Sequence, residues 1–242
     1  MLAILNYHNV AAAPVGVQLP RLYVAPDRFE RQLWWLKRLG RIGVTLSEGI
    51  RRLRAGDSAR CVALTFDDGY ADNVKNAAPL LKQYGFAATC FVVSDHIGSY
   101  NRWDVDLIGG MKPLMTEAEL RDWVDAGFEV GSHTCTHRDL TTLPRGHVME
   151  ELVSSREALR RLLHIPIPTF CYPYGRLNAD TTWCTARAGY TVAVTTRRGR
   201  AGPHDDLYAL PRLSVGGHKG MANFLLKAIT PYGDVHRLRS VR

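Results

Sequence analysis

Short, almost unbroken apolar runs recur along the chain, separated by stretches in which apolar residues return every three to four positions. Residues 3–7 (AILNY), 61–66 (CVALTF), 87–93 (AATCFVV), 128–132 (FEVGS), 168–172 (PTFCY), 191–195 (TVAVT) and 207–215 (LYALPRLSV) read as strands. Runs of that length, apolar on both faces, suit a parallel sheet covered by helices. The stretches between them predict helices over Pro26–Leu39, Asn73–Tyr84, Arg145–His164 and Asn178–Ala188, and a last one starting near Met221. Pro26 stands at a helix start and Gly40 just past its end. Thr116-Glu117-Ala118-Glu119 has the capping-box pattern and opens a helix to Ala126, stopped by Gly127. Ser94–Met115 follows neither period and reads as a long irregular segment.

Strands alternating with helices about seven times in 242 residues imply an α/β barrel, complete or nearly so, in one domain spanning 1–242. No internal repeat, low-complexity linker or composition shift divides the chain. In such barrels the chemistry sits at the C-terminal ends of the strands.

Composition narrows the class. Hydrophobic residues make up 46% and charged residues 22%, which excludes a disordered tail, a collagen-like fibre and a coiled coil. No apolar run approaches the roughly 20 residues of a membrane-spanning helix. The start, MLAILNYHNV, lacks the basic and long apolar regions of a signal peptide, which predicts a cytoplasmic protein. Cys61, Cys90, Cys135, Cys171 and Cys184 form no CxxC and read as reduced thiols. The net charge is +8, and 25 of 31 basic residues are Arg. Two readings stand side by side: an anionic partner such as a lipid phosphate, or an Arg-rich solvated surface. His236–Arg242 carries three of those arginines.

The polar clusters fall at the ends of apolar strands. CVALTF runs into Asp67-Asp68-Gly69, FEVGS into His133-Thr134-Cys135-Thr136-His137, TFCY into Pro173-Tyr174-Gly175, and AILNY into His8. His133 and His137 are spaced i, i+4, so on one helical turn they share a face and can share a metal. One of the adjacent carboxylates Asp67 and Asp68 can join them, and the other can act as general base. Two imidazoles and one carboxylate leave coordination positions open, the pattern of a catalytic rather than a structural site. A turn with Asx hydrogen bonds before Gly69 is the plainer reading of Asp-Asp-Gly alone.

At these residues the chain resembles the polysaccharide deacetylases, the NodB-homology or carbohydrate esterase family 4 domain. Thr65-Phe66-Asp67-Asp68-Gly69 matches the TFDDG motif, Ser132–His137 the H-[ST]-x-x-H motif, and Phe170–Gly175 the third motif in its FxYPYG form. Asn6-Tyr7-His8-Asn9-Val10 resembles the YHxV opening of a sub-branch that includes poly-N-acetylglucosamine deacetylases. The resemblance implies a distorted (β/α)7 barrel and hydrolysis of an N- or O-acetyl group, with a metal-bound water as nucleophile. It implies Asp67 as catalytic base, Asp68, His133 and His137 as metal ligands, and the N-terminal His8 as the acid, with His218 as the fallback. Cys171 stands where many members carry an Arg that orients the base, and Arg212 is the candidate replacement. Tyr174 is expected to lend its N–H to the oxyanion, and Tyr172 and Pro173 to shape the wall. Trp103 and Tyr100 could stack on sugars, and Asn101 or Asp104 could bind hydroxyls. Trp34, Trp35, Trp123 and Trp183 lie in helical patterns and read as packing residues.

The expected activity is removal of an acetyl group from an N-acetylated hexosamine of a glycan or glycan precursor, with one divalent cation. Zinc leads, and cobalt, nickel, manganese and iron are compatible. A lipid-linked sugar at the anionic inner membrane face fits the charge and the cytoplasmic expectation, and no nucleic acid is expected. The alternatives are an amidase or cyclic-imide hydrolase on a small molecule, an inactive carbohydrate-binding barrel, and a non-haem iron oxygenase.

Overall fold

The apolar runs form eight parallel strands, described in a computed structural model covering residues 1–217 and 219–231. The order is β1 (Ala3–Tyr7), α1 (Pro26–Arg38), β2 (Ile42–Val44), α2 (Leu46–Arg54), β3 (Cys61–Phe66), α3 (Ala78–Tyr84), β4 (Thr89–Val92) and α4 (Val105–Ile108). There follow α5 (Glu117–Asp125), β5 (Glu129–Ser132), α6 (Arg145–Leu163), β6 (Thr169–Cys171), α7 (Ala179–Arg187), β7 (Val192–Arg198), β8 (Leu210–Ser214) and α8 (Met221–Ile229).

Seven strands close a barrel in the order β1-β8-β7-β6-β5-β4-β3, and β3 pairs back to β1. The eighth, β2, pairs with the first half of β3 (Val44 opposite Ala63), on the flank where β4 takes the second half (Thr65 opposite Thr89). This is the (β/α)7 barrel that the sequence implied. Two layers of core follow from the period of two along each strand. Cys61 and Ala63 point inward with Leu2, Ile4, Phe91, Cys171, Val194 and Leu210. Val62, Leu64 and Phe66 point outward and pack with Leu33 and Leu36 of α1 and Leu81 of α3. Gly131 belongs to this geometry: a Cβ there would lie 2.6 Å from both the Phe91 ring and Thr169 Oγ1.

The strand and helix expectations hold to within a few residues, and three elements are additional: β2, α2 and the single turn α4 inside the segment read as irregular. β2 has three residues, too few for a periodic signal. α2 reads LSEGIRRLR, with a glycine and three arginines among the buried Leu46, Ile50 and Leu53. Its start was legible in principle, because Thr45 accepts a hydrogen bond from the Glu48 N–H in the T-x-x-E pattern. The predicted helix from Asn73 begins as a π-helical turn, Asn73–Ala77, before α3. Pro79, lacking an N–H, cannot bond back to that turn.

Trp123 is fully buried, but the expectation that Trp34, Trp35 and Trp183 are packing residues needs correction. They are 46%, 37% and 45% exposed, because their helices turn them outward. The Trp183 indole instead carries the guanidinium groups of Arg145 and Arg187, 4.6 and 5.3 Å from its centroid. All five cysteines are buried and unpaired. No helix among the described residues is long and apolar enough to cross a membrane. His218 and the basic segment His236–Arg242 lie outside the described residues.

Candidate active site

Asp67 continues the inward set of β3 (61, 63, 65, 67), so its carboxylate lies over the barrel interior. Arg212 reaches it from the inward face of β8. The guanidinium is 1% exposed and all five of its N–H groups have acceptors. Nη1 donates to Asp67 Oδ1 (2.7 Å) and Thr65 Oγ1 (3.0 Å), and Nη2 to Asp67 Oδ2 (2.7 Å) and Cys171 Sγ (3.1 Å). Nε donates to the Thr195 carbonyl at 2.9 Å. Burial alone would raise the Asp67 pKa, but the Arg212 charge and its two hydrogen bonds outweigh it and hold the carboxyl below its usual value. Cys171, the departure from the motif, thus accepts the fifth donor of an arginine arriving from another strand.

Two adjacent carboxylates on an extended chain face opposite ways. Here Asp68 adopts φ 73°, a left-handed conformation that Asp tolerates. Its Oδ1 lies 3.5 Å from His133 Nε2 and 3.3 Å from His137 Nε2. One ligand atom from each residue falls within 4.8 Å of the others, and all three side chains are buried. Burial raises the Asp68 pKa, and the hydrogen-bonding contacts with His133 and His137 bring it well below the ordinary range.

The two histidines are not on a helical turn, which corrects the sequence reading. They lie in an irregular loop after β5, with Thr134 at φ 70° and His137 at φ 61°. A β-branched residue at positive φ is a strained conformation held by its surroundings. Glu151 of α6 supplies much of the hold, accepting from the N–H groups of Cys135 (2.9 Å) and Thr136 (3.0 Å) and from Thr136 Oγ1 (2.5 Å). Thr134 Oγ1 accepts from the His137 N–H at 2.9 Å. The i, i+4 spacing suited a tight loop as well as a helix. Glu151 was missed because a buried glutamate inside EELV looks like any surface position of an amphipathic helix.

The donor set fits a divalent cation. His133 Nδ1 lies 2.7 Å from the Cys171 carbonyl, which fixes that nitrogen as an N–H donor and makes Nε2, on the Asp68 side, the atom that would ligate a metal on giving up its proton. Two imidazole nitrogens and one ionised carboxylate then converge on one point. A second possible group, Asp67, His133 and Cys171, shares the same space. Its thiol and carboxylate are already engaged by Arg212.

The remaining expected residues surround this core. His8 Nε2 lies 3.8 Å from Asp67 Oδ2, and the His8 side chain is 21% exposed. Its loop is pinned by Val10, whose N–H donates to Asp72 (2.9 Å) and whose carbonyl accepts from Asn76 (2.8 Å). Tyr174 sits at φ 58° and packs edge-on to the His137 ring at 4.8 Å, above the buried Pro173. Gly175 follows at φ 68°, where a Cβ would collide with the Thr196 backbone. Trp103 lies against His137 rather than standing free, with 4.4 Å between centroids. The expectation that Asn101 binds substrate hydroxyls needs correction, because its side chain is fully buried and accepts from the Lys112 N–H at 2.6 Å. It closes the Ser94–Met115 segment.

A family model of polysaccharide deacetylases matches residues 54–193. YxkH of Bacillus subtilis (strain 168), a protein named as a polysaccharide deacetylase, is 32% identical over 224 residues, covering 91% of this chain and 74% of that one. The poly-beta-1,6-N-acetyl-D-glucosamine N-deacetylase of Staphylococcus aureus (strain MSSA476) is 26% identical over 234 residues, covering 87% and 77%. Among solved structures, Streptococcus pyogenes deacetylase PplD in complex with acetate superposes with a TM-score of 0.81 at 26% identity, covering 95% of this chain and 98% of that one. With the matched model spanning more than half the chain and both metal-competent motifs meeting at the barrel mouth, the chain belongs to the polysaccharide deacetylase family.

Proposed function

We propose that the chain is a metal-dependent hydrolase that removes the acetyl group from an N-acetylated hexosamine of a glycan. The observation that carries this reading is the division of labour between adjacent carboxylates. Asp68 faces two imidazoles, while Asp67 faces Arg212 and His8. Relatives named for polysaccharide and N-acetylglucosamine deacetylation supply the substrate class.

Asp68, His133 and His137 would hold one divalent cation, with zinc the leading choice, and the cation would acidify a coordinated water and polarise the acetyl carbonyl. Asp67 accepts the proton of the attacking water. Arg212 keeps Asp67 ionised and aims its oxygens, and Oδ2 is the atom nearest His8. His8 Nε2, on the accessible side, gives a proton to the departing sugar amine. Without that proton an amide nitrogen is a poor leaving group. The Tyr174 N–H is the donor proposed for the oxyanion. Pro173 and the Tyr174 ring form the wall beside His137.

The test is acetate release from oligomers of N-acetylglucosamine by zinc-loaded protein. One free amine should appear per acetate. Turnover of small amides with no acetate from acetylated sugars would reject the glycan reading in favour of the amidase. Asp67→Asn should lower kcat about 10²–10⁴-fold, the range for loss of a positioned acid–base group, with bound metal unchanged. Metal lost together with activity would mean that Asp67 serves as a ligand instead.

A further inference from the structure

The two histidines facing Asp68 are fixed in different ways. His133 has an ordinary partner, the Cys171 carbonyl on Nδ1. His137 Nδ1 is buried and has no hydrogen-bond partner in the protein. A ligating imidazole normally donates that second N–H to a carboxylate or carbonyl, which sets its tautomer and ring orientation. His137 also sits at φ 61°, so its backbone alone is not at rest.

What holds the His137 ring is aromatic. The Trp103 indole lies over it, with 4.4 Å between centroids and 19° between planes. Tyr174 meets the same ring edge-on at 4.8 Å. His96 meets the indole edge-on at 5.4 Å, so Trp103 is itself held. The segment bearing Trp103 is tied down on both sides of it. Asn101 exchanges two hydrogen bonds with the Lys112 backbone (2.6 and 3.1 Å), and Tyr23 Oη donates to the Ile108 carbonyl at 2.7 Å. Trp103 packs there with Tyr23, Tyr70, Ile108 and Leu114.

We propose that Trp103 is a positioning residue for the metal site: its indole, stacked on His137, holds the orientation of that ring, as the Cys171 carbonyl holds that of His133. This rests on the metal-site reading given above. A face of the indole taken by His137 is closed to a sugar, so Trp103 acts on metal affinity and not as a sugar platform. The indole also becomes a built-in reporter, because it alone among the five tryptophans contacts an expected ligand.

The experiment titrates metal-free parent, Trp103→Phe and Trp103→Ala with Co²⁺ and Zn²⁺ against a chromophoric chelator, and follows tryptophan emission in the same samples. Trp103→Ala should bind metal about 10–100-fold more weakly, the usual loss on removing an outer-shell partner. Trp103→Phe keeps a stacking ring and should stay within a few-fold of the parent. Co²⁺ should quench the parent more strongly than Trp103→Phe. The Phe variant keeps the test decisive should the Ala variant fold poorly. Equal metal affinity in all three proteins, with KM raised in Trp103→Ala, would overturn the proposal and make Trp103 a sugar contact. A parent that takes up no metal would overturn the metal site itself, an outcome distinct from a parent that binds and an Ala variant that binds equally well.

Discussion

Replacing Arg212 by Met is expected to cost about 3–5 kcal/mol of folding stability at neutral pH, the usual result of removing one partner of a buried ion pair. The side chains are close in length, so the cavity is small and the electrostatics dominate. In the parent, Arg212 satisfies both oxygens of a carboxylate that is 3% exposed. In the variant the carboxylate remains without its cation, and Thr65 Oγ1, Cys171 Sγ and the Thr195 carbonyl each lose a donor. The pH dependence identifies the cause. The Asp67 pKa is depressed in the folded parent, so its contribution is present above the unfolded carboxylate value of about 3.9 and is lost as pH falls through the folded value. In Arg212→Met the burial that pushes the Asp67 pKa up is opposed only by the weaker influence of His8 and His133. The buried group then takes a proton on mild acidification, and the stability gap between the two proteins narrows as pH falls. Denaturant unfolding at pH 7 and pH 5 measures this. A gap independent of pH would assign the loss to packing and not to the ion pair. Activity should fall with stability, because a protonated Asp67 cannot accept the proton of water.

The strand–helix order was legible because nearly every strand is buried on both faces and so reads as an unbroken apolar run. The positions of Asp67 and Asp68 beyond CVALTF followed from that. The Asp67–Arg212 pair joins residues 145 apart, and no local pattern encodes it; Arg212 was its candidate because the family resemblance leaves Cys171 where an Arg usually orients the base. Two features were not legible. The conformation of the His133–His137 loop depends on Glu151, whose burial is set by how α6 lies on β5. Asn101 looked like a sugar ligand because an Asn beside Tyr100 and Trp103 suggests recognition. Its amide instead meets the unpaired Lys112 N–H on the far arm of the segment, where a loop this long must satisfy its own backbone. The exposed Trp34, Trp35 and Trp183 show the same limit from the other side. Helical spacing gives a side chain's angle around its helix, and not which sector the neighbouring elements leave open.

Asp68→Asn should abolish metal uptake and lower acetate release by about 10³-fold or more, since a cation at such a site supplies several kcal/mol of transition-state stabilisation. Asn is the informative substitution because position 68 has φ 73°, which Asn adopts readily, whereas Ala there adds about 1–2 kcal/mol of backbone strain. The variant keeps the shape and removes the charge. Its stability then separates two roles. Without metal, Asp68 is a buried anion whose nearest partners are two imidazoles. These contacts hold its carboxyl well below the ordinary range, so neutralising it should lower the metal-free stability at neutral pH. With metal, the parent alone gains, by RT ln(1 + [metal]/Kd), or about 2.7 kcal/mol at a hundredfold excess over Kd. Thermal unfolding with and without zinc should therefore show a rise in Tm for the parent and none for the variant. Elemental analysis should find about one metal per chain in the parent and almost none in the variant, because two neutral imidazoles are a weak site without the carboxylate. An equal rise in Tm for both proteins would place the metal elsewhere and remove Asp68 from its ligands. Loss of activity with full metal content would move Asp68 from ligand to proton carrier and reverse its role with Asp67.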